Sequence, residues 1–375
     1  MSVSRRPIHG APLLGLLLLG AATSAHAGAP LDIPVTAPSV VASMQQTHVN
    51  LKVTPNEDEK LAFSLALPKS WAYSKKFGPV PSGPLETRGL AFFASSTRPD
   101  APVLAATLTS VPYEIALDGW ALASFAREGW QVVSSRWVPG PHGLFFDVTG
   151  TRVVKGTEEV RRTSVRADGG NVFSLNALCG RSRWDEAKEI FWAAHMTFEL
   201  LHEPKEQMET WMKARASGPD FQVAFPASWS AETEPSQGGG SGVHLRLAAG
   251  QTLLAYVRVT ARPLAKGKPP PALEARKAAA LAVMAKAGFT TSGPLQSLTE
   301  KNDPRSAAVR GWKGGFLVSG RLGQAEAVAR LGFVDDDGLS FTLIGISPPL
   351  ADDALVALRA QRAFEIARFT AGAPE

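Results

Sequence analysis

The single cysteine of this 375-residue chain, Cys179, is the first residue to test for chemistry. A nucleophilic cysteine needs a nearby base and an electropositive setting that favours the thiolate. Arg181 and Arg183 follow it closely, and His195 comes later in the chain. However, a free cysteine at the end of an apolar stretch is more often a buried packing residue. We interpret Cys179 as structural, with a hydrolase that uses Cys179 or a serine that the sequence does not single out as the alternative.

The histidines and aspartates do not have the spacing of a metal site. The seven histidines are scattered, and His195 and His202 have Phe198 between them. His195 falls on an apolar helical stripe, which indicates a packing role. The run from Asp335 to Gly338 lacks the alternating ligands of a calcium loop and suits a hairpin turn. We therefore predict no catalytic, cofactor-binding or metal-binding residues, and no cofactor.

Five basic residues lie on two neighbouring predicted strands: Arg152, Lys155, Arg161, Arg162 and Arg166. Such a group could form a basic face for anionic lipid, glycan or an acidic partner. Two adjacent glutamates interrupt it, so we favour a solvated sheet edge that charge protects from aggregation. The glycines at 238–240 do not form a phosphate loop, because no lysine followed by serine or threonine comes after them.

The elements that carry these residues are organised around a repeated motif. The segment Leu65-Ala-Leu-Pro68-Lys-Ser-Trp71 resembles a second segment, Val223-Ala-Phe-Pro226-Ala-Ser-Trp229. The proline and the tryptophan both recur at the same offset (226 − 68 = 158 and 229 − 71 = 158). Period-two alternation predicts a strand, which the proline ends because it has no N–H to donate. The tryptophan is then expected to fold back over the end of the core. The shared offset predicts two similar modules in tandem.

The same order of elements follows each motif: two strands, a helix that stops at Gly129 or Gly288, further strands and a closing helix. The closing helices are predicted at 183–195 and 349–368 from their apolar stripes. We predict an α+β fold of two tandem α/β/α sandwich modules, each an antiparallel sheet flanked by helices. Module one spans 59–202 and module two spans 220–372. Residues 203–219 form a short linker with one helical turn around Met208, Trp211 and Met212.

This arrangement resembles the PsbP-like family, which includes a nuclear-transport factor that binds the Ran GTPase and small bacterial envelope proteins. The resemblance rests on the placed prolines and tryptophans and on the order of elements, and it covers both modules. It implies an antiparallel sheet with helices on both faces and a binding role without chemistry. It carries no functional residue over to this chain, and a photosystem role does not transfer because no chloroplast-type targeting segment is visible.

The start of the chain indicates export. Arg5 and Arg6, the apolar run from Leu13 to Ala22 and the small residues Ala25 and Ala27 predict a signal peptide over 1–27. A leader follows over 28–58, in which Val49–Val53 could add an edge strand. No later stretch is apolar enough to span a membrane. Without the two signal arginines the chain has 37 basic and 34 acidic residues, a net charge of +3, which is too weak to indicate nucleic-acid binding.

We therefore expect an exported, non-catalytic tandem binding module, periplasmic or secreted, that acts as an envelope interaction or assembly factor. Its partner is expected to be a protein or an envelope component that the sequence does not identify. No enzyme activity is expected.

Overall fold

The N-terminal half of the chain builds one large antiparallel sheet and one small one. The computed structural model of the protein describes residues 30–35, 47–74, 85–98, 100–203, 205, 207–237, 239–265, 270–299, 303 and 309–370. The predicted signal peptide, 1–27, lies outside the described residues, and the leader is described only at 30–35 and from 47 onward. The strands of this half are β1 His48–Val53, β2 Phe63–Pro68, β3 Ala72–Ser74, β4 Thr87–Ala94, β5 Val103–Ser110, β6 Gln131–Gly140, β7 Gly143–Val154, β8 Thr157–Asp168, β9 Asn171–Gly180 and β10 Glu199–Leu200.

The large N-terminal sheet has the order β3-β4-β5-β9-β8-β7-β6, and the small one has the order β1-β2-β10. The described strands of both sheets pair antiparallel. Helices α1 (Leu117–Arg127) and α2 (Trp184–Thr197) pack on opposite faces of the large sheet, α2 together with β2. Strand β1 confirms the edge strand predicted within the leader.

The C-terminal half has the same kinds of element. Its strands are β11 Trp211–Ala216, β12 Phe221–Pro226, β13 Ser230–Gln237, β14 Gly240–Ala249, β15 Thr252–Pro263, β16 Phe289–Thr291, β17 Gln296–Ser297, β18 Trp312–Leu322, β19 Ala325–Asp336 and β20 Leu339–Ser347. The large sheet has the order β13-β14-β15-β20-β19-β18-β16, with β17 beside β18, and β11 pairs with β12. Helices α3 (Leu273–Lys286) and α4 (Ala354–Thr370) pack on opposite faces of this large sheet. The chain is therefore an α+β fold with antiparallel sheets.

The two Pro–Trp motifs form the same turn in both halves. The Trp71 amide donates to the Pro68 carbonyl at 3.0 Å, and the Trp229 amide donates to the Pro226 carbonyl at 2.9 Å. Trp71 and Trp229 are both buried, at 9% and 4% exposure. The predicted role of each tryptophan as an anchor over the end of the core is confirmed.

The stretch between the halves differs from its prediction. Trp211 and Met212 do not form a helical turn but begin strand β11, which pairs along its whole length with β12. At the end of this strand, Arg215 is exposed and its neighbour Ala216 is buried, because successive side chains of a strand point to opposite faces. The prediction failed because three large apolar residues were grouped by helical spacing when a partner strand lay a few residues away.

Buried contacts join the two halves around α1 and α4. The Glu114 carboxylate, which is 2% exposed, accepts hydrogen bonds from the Met208 amide at 2.7 Å and the Trp211 indole N–H at 3.2 Å. It also accepts from Arg362 Nε on α4 at 3.1 Å. The Ala116 amide donates to the Leu358 carbonyl at 3.1 Å. Because a buried carboxylate needs all of these donors, Glu114 ties α4 to the loop that precedes α1, and residues 33–375 form one compact unit.

Candidate functional site: a groove beside the third helix

Cys179 has the properties of a structural cysteine. It lies on β9 and is 3% exposed. Burial raises the pKa of its thiol to about 12, and the positive charges of Arg181 and Arg183 offset this only in part. His195 does not act as its base, because His195 Nδ1 lies 2.6 Å from Ser164 Oγ. The structure thus brings the two arginines near Cys179 but does not create a reactive thiolate.

Among the described residues, Ser164 and His195 come closest to a catalytic arrangement, and the sequence did not single out this serine. Ser164 and His195 are 3% and 0% exposed, so a substrate has no access to them. Burial lowers the pKa of His195 to about 3, helped by the charge of Arg162 and opposed by that of Asp147. Asp147 does not orient the histidine; it accepts two hydrogen bonds from Arg162, at 2.9 and 2.8 Å. The pair therefore lacks both the access and the third group that a catalytic triad requires.

The five basic residues do not share one face or one solvated edge: Lys155 is exposed in the turn between β7 and β8, but the four arginines are partly or fully buried. Both predictions for the group are therefore wrong. Arg162 and Arg166 point toward α2 and are buried, whereas Arg161 points toward α1. Arg161 pairs with Glu128 at 2.7 Å, and Arg152 pairs with Glu159 at 2.9 Å. Successive side chains of a strand point to opposite faces, which is why neighbours in the sequence are separated here.

Arg162 and Arg136 also bind the leader. Both donate to the carbonyl of Pro34, at 3.1 and 3.0 Å, as well as to Asp147. Pro34 is itself buried. These contacts fasten the described part of the leader to the N-terminal sheet.

The residues considered for metal binding are used in turns and ion pairs. His202 Nε2 lies 2.8 Å from Asp168. Asp335 pairs with Arg276 at 2.8 Å, and Asp337 and Gly338 have φ values of +47° and +71°, which are typical of a tight turn. Within the described residues, no three His, Cys, Asp or Glu side chains are grouped to hold a metal ion. The predicted hairpin turn is confirmed.

A groove on the C-terminal half is a concave site large enough to hold a ligand. It has a volume of about 700 Å³ and runs between α3 and strands β13, β14, β15 and β20. This volume is within the range of ligand-binding sites in proteins. The wall on the α3 side contains small apolar residues one helical turn apart, Ala275, Ala279 and Val283. The floor contains the hydroxyl residues Thr260, Ser340 and Thr342.

Two glycines on β14 shape the floor of this groove. A Cβ atom at Gly242 would lie 2.5 Å from Glu234 Oε2, and one at Gly240 would lie 3.1 Å from Arg262 Cγ. These glycines therefore leave space for the side chains of Glu234 and Arg262 to lie flat across the sheet. The charged groups line the groove instead of projecting from the edge of the sheet.

The charges of the groove are partly paired. Glu234 lies 2.8 Å from Arg258 and 2.7 Å from His244. Burial acts to raise the pKa of Glu234, but the hydrogen bond from Arg258 and the charges of His244 and Arg258 outweigh it and the pKa is lowered. Arg276 pairs with Asp335 and donates to the Phe341 carbonyl at 2.8 Å. Arg262 is exposed and forms no ion pair in the described part of the chain.

Sequence reasoning did not find this groove, because its residues come from distant strands and include no motif. The glycine-rich stretch at 240–242 has no apolar alternation that would predict a strand, yet it begins strand β14. The alanine-rich helix was the available signal, since an exposed face of small residues leaves room for another chain.

No family model and no curated protein matches this chain. Among solved structures, cyanobacterial PsbP (CyanoP) from Synechocystis sp. PCC 6803 is 14% identical, with a TM-score of 0.32 over 41% of this chain and 92% of that chain. The T6SS immunity protein TplEi from Pseudomonas aeruginosa, in complex with "L" peptide, is 10% identical, with a TM-score of 0.21 over 87% of this chain and 99% of that chain. The Tle4–Tli4 complex gives 11% identity and a TM-score of 0.22, over 87% and 98%. Similarities this weak do not establish a shared function.

Proposed function

We propose that this chain is an exported, non-catalytic binding protein that holds a protein partner in the cell envelope. The observation that carries the proposal is the groove beside α3, which has the size and open shape of a binding site. Its described lining contains neither cysteine nor histidine, and its one carboxylate is paired with Arg258. Groups arranged in this way can hold a ligand, but they do not supply a nucleophile with a free base.

Tandem duplication is part of this proposal. The large sheets have the same strand order when their strands are matched along the chain. The Pro–Trp turns and the two outer strand pairs, β1 with β2 and β11 with β12, match as well. Two PsbP-like copies are the simplest source of this correspondence. Because α1 and α4 are packed together, we propose that both copies present their surfaces as one body.

The location in the periplasm or outside the cell rests on residues 1–27. None of the helices in the described residues is long and apolar enough to cross a membrane. The proposal is checked by locating a C-terminally tagged chain with and without residues 1–27 after cell fractionation. Export of the full chain, with retention of the shortened one in the cytoplasm, is the expected result.

A hydrolase is the second candidate, and the 2.6 Å contact between Ser164 and His195 is the observation that favours it. Their burial weighs against it, as does the raised pKa of Cys179. The two candidates differ in what happens to the partner. A binder leaves the covalent structure of its partner unchanged, whereas a hydrolase cleaves a bond that Ser164→Ala or Cys179→Ala would protect.

The test is affinity capture from an envelope extract with the full mature chain, followed by purification of the captured protein. Calorimetry then measures its affinity, and intact-mass spectrometry measures its mass before and after incubation. We expect a complex with defined stoichiometry, an unchanged mass and equal affinity for the wild type, Ser164→Ala and Cys179→Ala. A change in mass that either substitution abolishes would overturn the binding proposal and support the hydrolase.

A further inference from the structure

The lining of the groove carries a positive charge that the fold does not fully compensate. Three arginines line it, Arg258, Arg262 and Arg276, against the single carboxylate of Glu234. Arg258 and Arg276 have ion-pair partners, but the Nε atom of each is buried and has no hydrogen-bond partner among the described residues. An arginine presents five N–H donors, so both retain donor capacity.

Arg262 is the most available cation of the groove. It is the second-to-last residue of β15, on the floor of the groove next to Gly240 of β14, and it is exposed. No carboxylate in the described part of the chain lies within ion-pair distance of it. A guanidinium that has room beside a glycine and no counter-ion is suited to bind a carboxylate from another molecule.

The other wall of the groove suits the backbone of an extended chain. Ala275, Ala279 and Val283 follow one another at intervals of four residues along α3, so they lie on one side of the helix. Because two of the three are alanine, another chain can approach the helix closely. Thr342 and Ser340 on the floor are half-exposed and offer hydroxyl groups. An occupant with alternating apolar and acidic side chains meets an apolar wall on one side and arginines on the other.

The corresponding position in the N-terminal half is filled by a large side chain. Helices α1 and α3 align through their buried residues, Ala121 with Ala280 and Phe125 with Met284, both at an offset of 159 (280 − 121 and 284 − 125). At the same offset, Ala279 corresponds to Trp120, which packs against the core beneath α1. The groove therefore exists in one half because alanine stands where the other half has tryptophan.

We propose that the groove beside α3 binds an extended, acidic peptide segment of the partner protein, with Arg262 as its principal contact. This rests on the proposed function and identifies the chemistry of the surface that performs it. The apolar side chains of the segment pack on α3, and its carboxylates reach Arg262 and Arg258.

The proposal is tested with a phage-displayed library of random nonapeptides, selected on the immobilised full mature chain. Two variants are compared, Ala279→Trp, which fills the groove with the residue of the other half, and Ala278→Trp, which adds the same bulk at the adjacent exposed position. We expect selected peptides to be enriched in Asp and Glu. We also expect recovery to fall at least about tenfold on Ala279→Trp and to be unchanged on Ala278→Trp.

A selected peptide, labelled with fluorescein, is then titrated with the wild type, Arg262→Gln and Arg246→Gln. Arg246 is a matched control because it lies on the same sheet and pairs with Glu232 outside the groove lining. Loss of one charge-assisted hydrogen bond should weaken binding about tenfold in Arg262→Gln and leave Arg246→Gln unchanged. The affinity should also fall as the salt concentration rises.

Peptides without acidic enrichment, no recovery of any peptide, or equal recovery on both tryptophan variants would overturn this inference. Circular dichroism shows that each variant is folded before it is compared. The proposed function fails separately: if the captured partner binds Ala279→Trp as tightly as the wild type, the protein is still a binder but the groove is not its binding site. If the partner is cleaved, the binding function itself is wrong.

Discussion

The two halves of the molecule have large sheets with the same strand order, yet they use the face beneath their first helix differently. In the N-terminal half this face is closed: Thr107, Thr109 and Ser174 are buried. Arg161, paired with Glu128, donates to Asn176 at 2.7 Å over the same face. In the C-terminal half, Thr260 and Thr342 are half-exposed and Arg262 is exposed. One strand order therefore supports a closed core face in one half and an open groove in the other.

The difference extends to what lies outside each helix. Helix α1 is covered by α4, and Gly119 allows the close approach: a Cβ atom there would lie 2.9 Å from Leu358 Cδ2. Helix α3 has no comparable cover in the described part of the chain. Side chains on a few positions, rather than the backbone, decide which face is available to a partner.

The opposite faces, beneath α2 and α4, differ as well. His195, Ser164 and Asp147 form a buried polar cluster beneath α2, whereas beneath α4 glycines stand at the positions of the serine and the aspartate. Gly332 stands at the position of Ser164 and Gly315 at that of Asp147, both at an offset of 168 (332 − 164 and 315 − 147). A Cβ atom at Gly332 would lie 3.0 Å from Phe364 Cζ. Aromatic rings thus fill the place of Ser164, and the buried polar contacts beneath α4 are different ones, since Arg368 lies over Trp312 and pairs with Asp303.

The largest effect is expected from the residues that the halves share. Trp71→Ala and Trp229→Ala should each lower the free energy of unfolding by about 3–5 kcal/mol, because each empties a buried aromatic site. Trp71 packs edge-on against Phe191 with ring centroids 6.4 Å apart. Urea unfolding followed by circular dichroism measures the change. A loss below about 1 kcal/mol in either variant would contradict the equivalence of the two anchors.

The next largest effect is expected in the pH dependence of stability, to which His195 of the N-terminal half contributes. Burial lowers the pKa of His195 to about 3 from its ordinary value of 6.5, with help from Arg162 and opposition from Asp147. Between these values the unfolded chain binds a proton that the folded chain does not, so stability falls as the pH drops from 6.5 toward 3. Phe364 in the other half has no such titration.

The measurement is the urea midpoint of unfolding between pH 4 and pH 7.5 for the wild type and His195→Gln. The variant should be less stable at pH 7 but lose less stability on acidification. Other titrating groups are common to both proteins and cancel in the difference. Parallel pH profiles would show that His195 is not a buried neutral histidine.

The smallest effect is expected at Cys179. Because burial raises the pKa of its thiol to about 12, almost no thiolate is present near neutral pH. Iodoacetamide at pH 8 should label the native protein slowly and the urea-unfolded protein fully, as measured by mass spectrometry. Cys179→Ala should leave partner affinity unchanged. Rapid labelling of the native chain would show that the thiol is accessible and would favour the hydrolase.

Much of the fold could be predicted from sequence because it depends on local patterns. Alternation identified β2 and β12, and the glycines at 129 and 288 marked the ends of α1 and α3. The region around Trp211 could not be predicted, since its strand depends on pairing with β12. The site was harder still: Arg161 and Arg162 are neighbours in sequence but point to opposite faces, and the groove is formed by Glu234, Arg262 and Ala279 from three distant elements.

The most direct test of the proposed binding site is hydrogen–deuterium exchange of the chain without residues 1–27, with and without its captured partner. We expect slower amide exchange on binding in the elements that form the groove, β15, α3 and β20. We expect no change in β9 around Cys179 or in α2 around His195. Protection confined to β9 and α2, with α3 unaffected, would contradict the claim that this protein works by holding a partner in the groove of its C-terminal half.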